Sequence, residues 1–487
     1  MPTPVPTPMP VRLPVPNMSE YLAKELGLDR ARNAAEGKQE GKALRELVPH
    51  EALSTWSWER EGRDPVATVF GQDAVRVPAL VPVRHERMAV SPFTFYRGSA
   101  LLMAQDLAQM PVTGIEVQLC GDAHIGNFRL FLSPERRMVW DINDFDETCR
   151  GPWEWDIARL CASTEICARD RGFTRKEAKR AVKAAARGYR ESMRSFARMG
   201  NLEMWYQHTD VDDVLAANIP TLALGRVEGI QHMVDKARSK DSTLAMHRLT
   251  EVKKGHLRVI SAPPLIVPVR DMVVGDEEIY GGKRMLGKLT KAVLSAYRAT
   301  LSREKARFLK NYHPVDLARK VVGVGSVGLR AWILVCEGTG VDDPLVLQIK
   351  EARQSVIETV LGSRGYRHAG KRVVEGQRAM QATGDMLLGW TRMPDADTGK
   401  MRDYYVRQLW DGKGRLDLTK ISAASLASLA EVCGSTLAHA HARTGDRFAI
   451  AGYLGKKDSF DKAMLRFSRA YADQTADDHA AFVAALG

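Results

Sequence analysis

Apolar residues gather into three short strand-like runs, set between polar clusters, in the first third of the chain. IEVQLC (115–120), FRLFL (128–132) and RMVWDI (137–142) read as strands, and the turn-forming tetrapeptide SPER joins the last two into a hairpin. GDAHIGN, between the first two, reads as a loop. From Trp155 to about Ala197 the apolar spacing lengthens to that of a helix, and a mostly helical pattern with loops continues to about Asp241. Upstream, residues 18–60 predict helix. Recurring proline and valine from Pro65 to Pro92 predict extended segments and turns, and a further helix is expected to begin near Gly98. Residues 281–310 predict one or two amphipathic helices. Near 312 the period shortens again, giving β-like runs at 315–322, 329–336 and 344–350. A helix follows at about 366–382, then strands within MLLGWTRM and DYYVRQLW, then helices at about 422–443 and 458–486. Three strands, a helix and two strands make a compact unit, and the chain as a whole is α+β.

Composition narrows this picture. The chain has 487 residues, 45% hydrophobic and 27% charged, which excludes overall disorder. The 6 cysteines include no Cys-x-x-Cys pair, so free thiols in a reducing compartment are expected rather than a disulfide framework or a zinc ribbon. The opening MPTPVPTPMPVRLPVPN reads as a polyproline-like tail (1–17) without a signal-peptide core. No run is long enough to span a membrane, so a cytoplasmic location is expected. Formal net charge is +12, but the basic residues are spread along the chain; a nucleic-acid partner therefore ranks below a small-molecule acceptor.

Asp122, His124, Asn127, Asp144, Asp146 and Glu147 come together if the predicted hairpin forms. Like charges gathered at strand ends are costly without a cation or substrate to offset them. An Asp, an Asn five residues on and another Asp after a hairpin suit phosphoryl transfer. One carboxylate takes or orients the acceptor hydroxyl, and the amide and the other carboxylates hold Mg2+, which prefers oxygen ligands. His124 either orients the loop or packs.

GDAHIGNF resembles the catalytic loop of aminoglycoside phosphotransferase and choline kinase-type enzymes, with Cys120 where their histidine stands. INDFDETCRGPWEWDIARL is similar to their following segment, where an aspartate lies twelve residues beyond the metal-binding Asp-Phe; Asp156 lies at that distance from Asp144. The resemblance implies Asp122 as catalytic base, Asn127 and Asp144 as magnesium ligands and Asp156 as an anchor of the loop. FYRG (95–98), GDAHIGNF, NDFDET and GPWEWD together also resemble an uncharacterised bacterial domain family.

Gly323, Gly325, Ser326 and Gly328 belong to a G-x-G-x-x-G followed by the strand-like LRAWILVC, so it reads as a phosphate-covering loop between strands rather than a dinucleotide fingerprint. Lys350 closes the apolar run VLQIK and resembles the phosphate-pairing lysine of kinases. Its expected glutamate partner is Glu375, with Glu351 and Glu358 as nearer alternatives. In the resembling kinases the glycine loop and lysine precede the catalytic loop; here they follow it. The resemblance thus implies a protein-kinase-like two-lobed fold, circularly permuted. A mostly helical catalytic lobe (18–311) comes first, then a β-rich nucleotide-binding unit (312–415), then helices (416–487) that pack on the catalytic lobe. The expected activity is ATP- and Mg2+-dependent transfer to a small-molecule hydroxyl or amine. The alternatives are a metal-dependent phosphohydrolase or nuclease using Asp122, His124, Asp144 and Asp146, and a nucleotide-binding regulatory pseudo-enzyme.

Overall fold

A computed structural model describes residues 33–55, 62–211, 249–274, 277–278, 283–321, 325, 327–395, 398–409, 414 and 416–487. The expected tail at 1–17, residues 18–32, Gly323 and Ser326 lie outside the described residues.

The first half is built from helices: α1 (Ala34–Leu47), α2 (Pro92–Gly98), α3 (Trp153–Asp170) and α4 (Arg175–Phe196) among them. The region from Pro65 to Pro92, expected to be extended, is instead largely helical, with helices at Pro65–Gly71 and Val81–Ala89. Proline breaks a helix only in its interior. Pro65 and Pro92 stand at first-turn positions, where a missing N–H costs nothing, and Asp64 and Ser91 cap the amides of Ala67 and Thr94 at 2.8 and 3.3 Å. Strands β1 (Glu116–Leu119), β2 (Phe128–Leu132), β3 (Met138–Ile142) and β4 (Cys149–Pro152) form two small antiparallel pairs, β1 with β4 and β2 with β3.

The second half centres on a six-stranded antiparallel sheet. Its strands are β5 (Ile266–Pro268), β6 (His313–Lys320), β7 (Ala331–Glu337), β8 (Pro344–Ala352), β9 (Gly389–Pro394) and β10 (Met401–Gln408), in the order β9-β10-β8-β7-β6-β5. β5 pairs with β6, and the hairpin Thr250–Lys253/His256–Val259 packs Leu257 and Val259 against Ile333, Val335 and Val346. The sheet unit therefore begins near residue 249, not at 312. Helix α5 (Lys283–Arg298) belongs to it too, since Tyr297 packs with Trp332, Leu334 and Leu347. Between β8 and β9 lies α6 (Ala369–Met380).

The last three helices, α7 (Ala423–Thr444), α8 (Arg447–Leu454) and α9 (Ser459–Ala484), return to the helical half and share its core. Trp153 stacks on Tyr189 at 5.6 Å, and His441 of α7 meets the Tyr189 hydroxyl at 2.8 Å. All 6 cysteines are buried and free. Among the described residues, no helix is long and apolar enough to cross a membrane.

The start of α3 is tied to the loop before β1. Glu154 accepts from the Thr113 amide (2.8 Å) and hydroxyl (2.6 Å), and burial pushes its carboxyl from 4.5 up to about 7. The folded chain thus holds this proton more tightly than the unfolded one. The resulting stability is complete below pH 4.5 and is lost as pH rises through about 7. Urea unfolding of Glu154→Gln across this range should shift relative to the parent, in the variant's favour, by about 3 kcal/mol. Parallel curves for the two proteins would show that this carboxyl does not titrate abnormally.

Candidate functional site

The loop between β1 and β2 is held from below by Asp156 of α3. Its carboxylate accepts from the amides of Cys120 (2.6 Å) and Gly121 (3.0 Å) and meets His441 Nε2 at 3.2 Å. Gly121 has φ +79°, and a Cβ there would sit 2.1 Å from the Glu147 carbonyl oxygen, so this turn requires glycine. The loop thereby presents Asp122 toward a cleft. Arg159, one turn along α3 from Asp156, donates to Asp122 Oδ1 at 2.6 Å, and His124 Nε2 lies 3.9 Å from Asp122 Oδ2. Burial raises the Asp122 carboxyl and Arg159 opposes the rise. Burial, then the nearby Arg97 and Arg159 cations, holds the His124 ring well below its usual value, so it is neutral.

Asn127 ties this loop to the turn after β3. Its Nδ2 donates to the Asp144 carbonyl (2.9 Å) and the Asp122 carbonyl (3.1 Å), and its Oδ1 accepts from the Asp144 amide (2.9 Å). The expected metal-ligating amide is therefore turned to backbone and acts as a staple.

Lys350 reaches this turn from the sheet. Its ammonium, on a side chain 2% exposed, lies 3.3 Å from Asp144 Oδ2 and pairs closely with Asp146 Oδ2. The Tyr405 hydroxyl, on β10 beside Lys350 in register, donates to Asp146 Oδ1 at 2.8 Å. Burial alone would raise Asp144, but Lys350 and Arg407 outweigh it and hold the carboxyl well below the usual range. Asp146 is pushed up by burial and by Asp144. Glu375 is not the partner of Lys350: it is 40% exposed and pairs with Lys371 at 3.5 Å. Helix α6 turns Arg372 inward instead, donating to the Asp146 and Thr148 carbonyls and pairing with Glu358. Glu351 pairs with Arg402.

The glycine-rich turn joins β6 to β7, two antiparallel strands. Arg76 closes on it, donating to the carbonyls of Gly325 (2.9 Å) and Val327, while the Val77 amide donates to the Gly328 carbonyl at 2.8 Å. Gly325, Asp122, His124, Asn127, Asp144 and Asp146 line one cleft of about 330 Å3, and Arg76, Arg97, Arg129 and Arg353 line it as well. Arg159, Arg76, Arg372 and Tyr405 escaped the sequence reading because each works through a contact distant in sequence. The one local signal was the position of Arg159, three residues beyond Asp156.

For a magnesium ion the donor set fits in kind: Asp144 faces the cleft and offers carboxylate oxygen, the ligand this hard cation takes. Among the described residues, however, no three His, Cys, Asp or Glu side chains gather into a ready cage. Asp146 is committed to Lys350 and Tyr405.

Residues 76–485 match the family described as "Uncharacterized protein conserved in bacteria (DUF2252)". The chain belongs to the DUF2252 family. No curated protein and no solved structure matches it. The DUF2252 match takes in Arg76, the acidic turn and Lys350 and leaves α1 outside.

Asp156→Ala would strand the buried amides of Cys120 and Gly121 and the His441 ring. Loss of about 3 kcal/mol or more in chemical unfolding is expected from these unmet donors. A loss within experimental error would show that the loop is held by other means.

Proposed function

We propose that the cleft carries out ATP- and Mg2+-dependent transfer of a phosphoryl group to a hydroxyl or amine of a small molecule. The observation that carries this reading is the meeting of Lys350 with Asp144 across 206 positions of sequence. A lysine on a central strand, a glycine turn joining two strands beside it and an Asp-bearing loop opposite are the parts that phosphoryl transfer uses. They also support the permuted, protein-kinase-like reading of the fold, with the helical lobe ahead of the sheet.

In this reading Asp122 accepts the acceptor's proton. Arg159 fixes one of its oxygens and leaves the other, Oδ2, beside His124. The raised carboxyl is a stronger base than an exposed aspartate would be. Lys350 exchanges part of its contact with Asp144 for a phosphate oxygen, and the arginines lining the cleft supply a field that favours phosphate. Asp144 would hold the magnesium ion, which supplies charge neutralisation at the phosphates.

A regulatory, nucleotide-binding protein without turnover is the second reading. The inward place on α6 held by Arg372, with Glu375 at the surface, favours it. A phosphohydrolase or nuclease working without the glycine turn is less favoured, because Gly325 lines the same cleft as Asp144.

Thermal denaturation with nucleotides, with and without Mg2+, tests the proposal. ATP with Mg2+ should raise the midpoint, and Asp144→Asn should remove most of that shift. Asp122→Asn should keep the shift yet slow turnover, or residual ATP hydrolysis, by about a hundredfold or more. No stabilisation by any nucleotide would overturn both readings, and a shift without turnover in the parent would leave the regulatory one.

A further inference from the structure

A second concavity, about 860 Å3, lies between α1, the C-terminal end of α4 and the loop from α8 to α9, and shares no lining residue with the catalytic cleft. Lys38, Lys42, Arg194, Arg198, Lys456 and Lys457 all line it, and among the described lining residues there is no Asp or Glu. Among the described residues, none of these six side chains makes a hydrogen bond or an ion pair. Carboxylates stand nearby but are spent elsewhere: Asp458 takes Lys183 and Lys462 at 3.0 and 2.9 Å, and Asp461 takes Arg190 at 2.9 Å.

The arrangement follows from the sequence. Lys38 and Lys42 are four apart on one face of α1, Arg194 stands in the last turn of α4, and Arg198 lies two residues beyond its end. Attraction to helix C-termini explains only part of this. Arg45 is satisfied in that way, donating to the Gly452 and Tyr453 carbonyls at the end of α8 (3.4 and 3.0 Å). Lys38 and Lys42 lie before the last turn of α1, and Lys456 and Lys457 lie outside helices. Cations crowded without counter-charge repel one another, and an anion entering between them relieves that repulsion.

We propose that this groove binds a soluble small molecule that carries several phosphate groups. Ammonium and guanidinium groups from two helices and a loop match closely spaced phosphates. Single-stranded nucleic acid fits less well, because it needs aromatic faces for stacking. Phe448 is the one ring among the described lining residues, and Arg447 lies over its face at 4.3 Å.

Calorimetric titration of the full chain with inorganic tripolyphosphate, without Mg2+, tests the assignment. The parent should bind it saturably. Lys42→Ala, Arg194→Ala and Lys457→Ala combined should lose at least about tenfold in affinity, the loss expected when charge-assisted hydrogen bonds go. Lys42→Arg with Lys457→Arg should retain binding. Absence of saturable binding by the parent, or equal affinity in the combined alanine variant, would overturn the proposal. So would a single-stranded oligonucleotide that binds more tightly than the probe and loses its affinity in the same variant, since the groove would then belong to nucleic acid.

Discussion

A lysine ammonium buried between two carboxylates is the constraint on which the site depends. Taking a lone ammonium out of water costs several kcal/mol, so β8 can carry a buried Lys350 only if Asp144 and Asp146 come to it. Those aspartates lie at the end of a hairpin in the helical half. The ion triad therefore fixes where the sheet docks, and other contacts follow the same seam. The Ser355 hydroxyl donates to the Glu147 carbonyl and the Val356 amide to the Glu147 carboxylate, each at 2.7 Å, while Arg372 grips the carbonyls of Asp146 and Thr148. From the other side Asp156, itself held by His441, fixes the loop that carries Asp122.

What the sequence made legible was local. GDAHIGN and NDFD each gather their polar residues within a few positions, and the two apolar runs between them, joined by SPER, predict the hairpin that brings them together. Lys350 stood out because it closes an apolar strand. Glu375 was misassigned for a rotational reason. It lies three positions from Arg372 on α6, and burial of Val373, Gly376 and Gln377 turns Glu375 outward. Helix phase depends on what a helix packs against, and that partner is remote in sequence. The start of the sheet unit was misplaced because β5 is only 3 residues long, too short to show a period. Pro65 and Pro92 misled because a proline that opens a helix and one that prevents it look alike until the cap before it is seen.

The net charge also changes meaning with the structure. Arg63 and Arg190 meet buried carboxylates and belong to the packing of the helical half. Arg76, Arg97, Arg129 and Arg353 line the same cleft as Asp122 and Gly325, where the proposed function would place a phosphate. Among the described residues, the cations between α1 and α4 have no such partners. An excess that looks evenly spread along the chain is thus concentrated by folding into distinct concavities.

The most direct measurement is a crystal structure of the protein with manganese and a non-hydrolysable ATP analogue, the metal being located by its anomalous scattering. The account predicts a manganese peak against the Asp144 carboxylate, with the analogue's phosphates reaching Lys350 and the turn that holds Gly325. A nucleotide bound outside this cleft, with manganese away from Asp144, would contradict it.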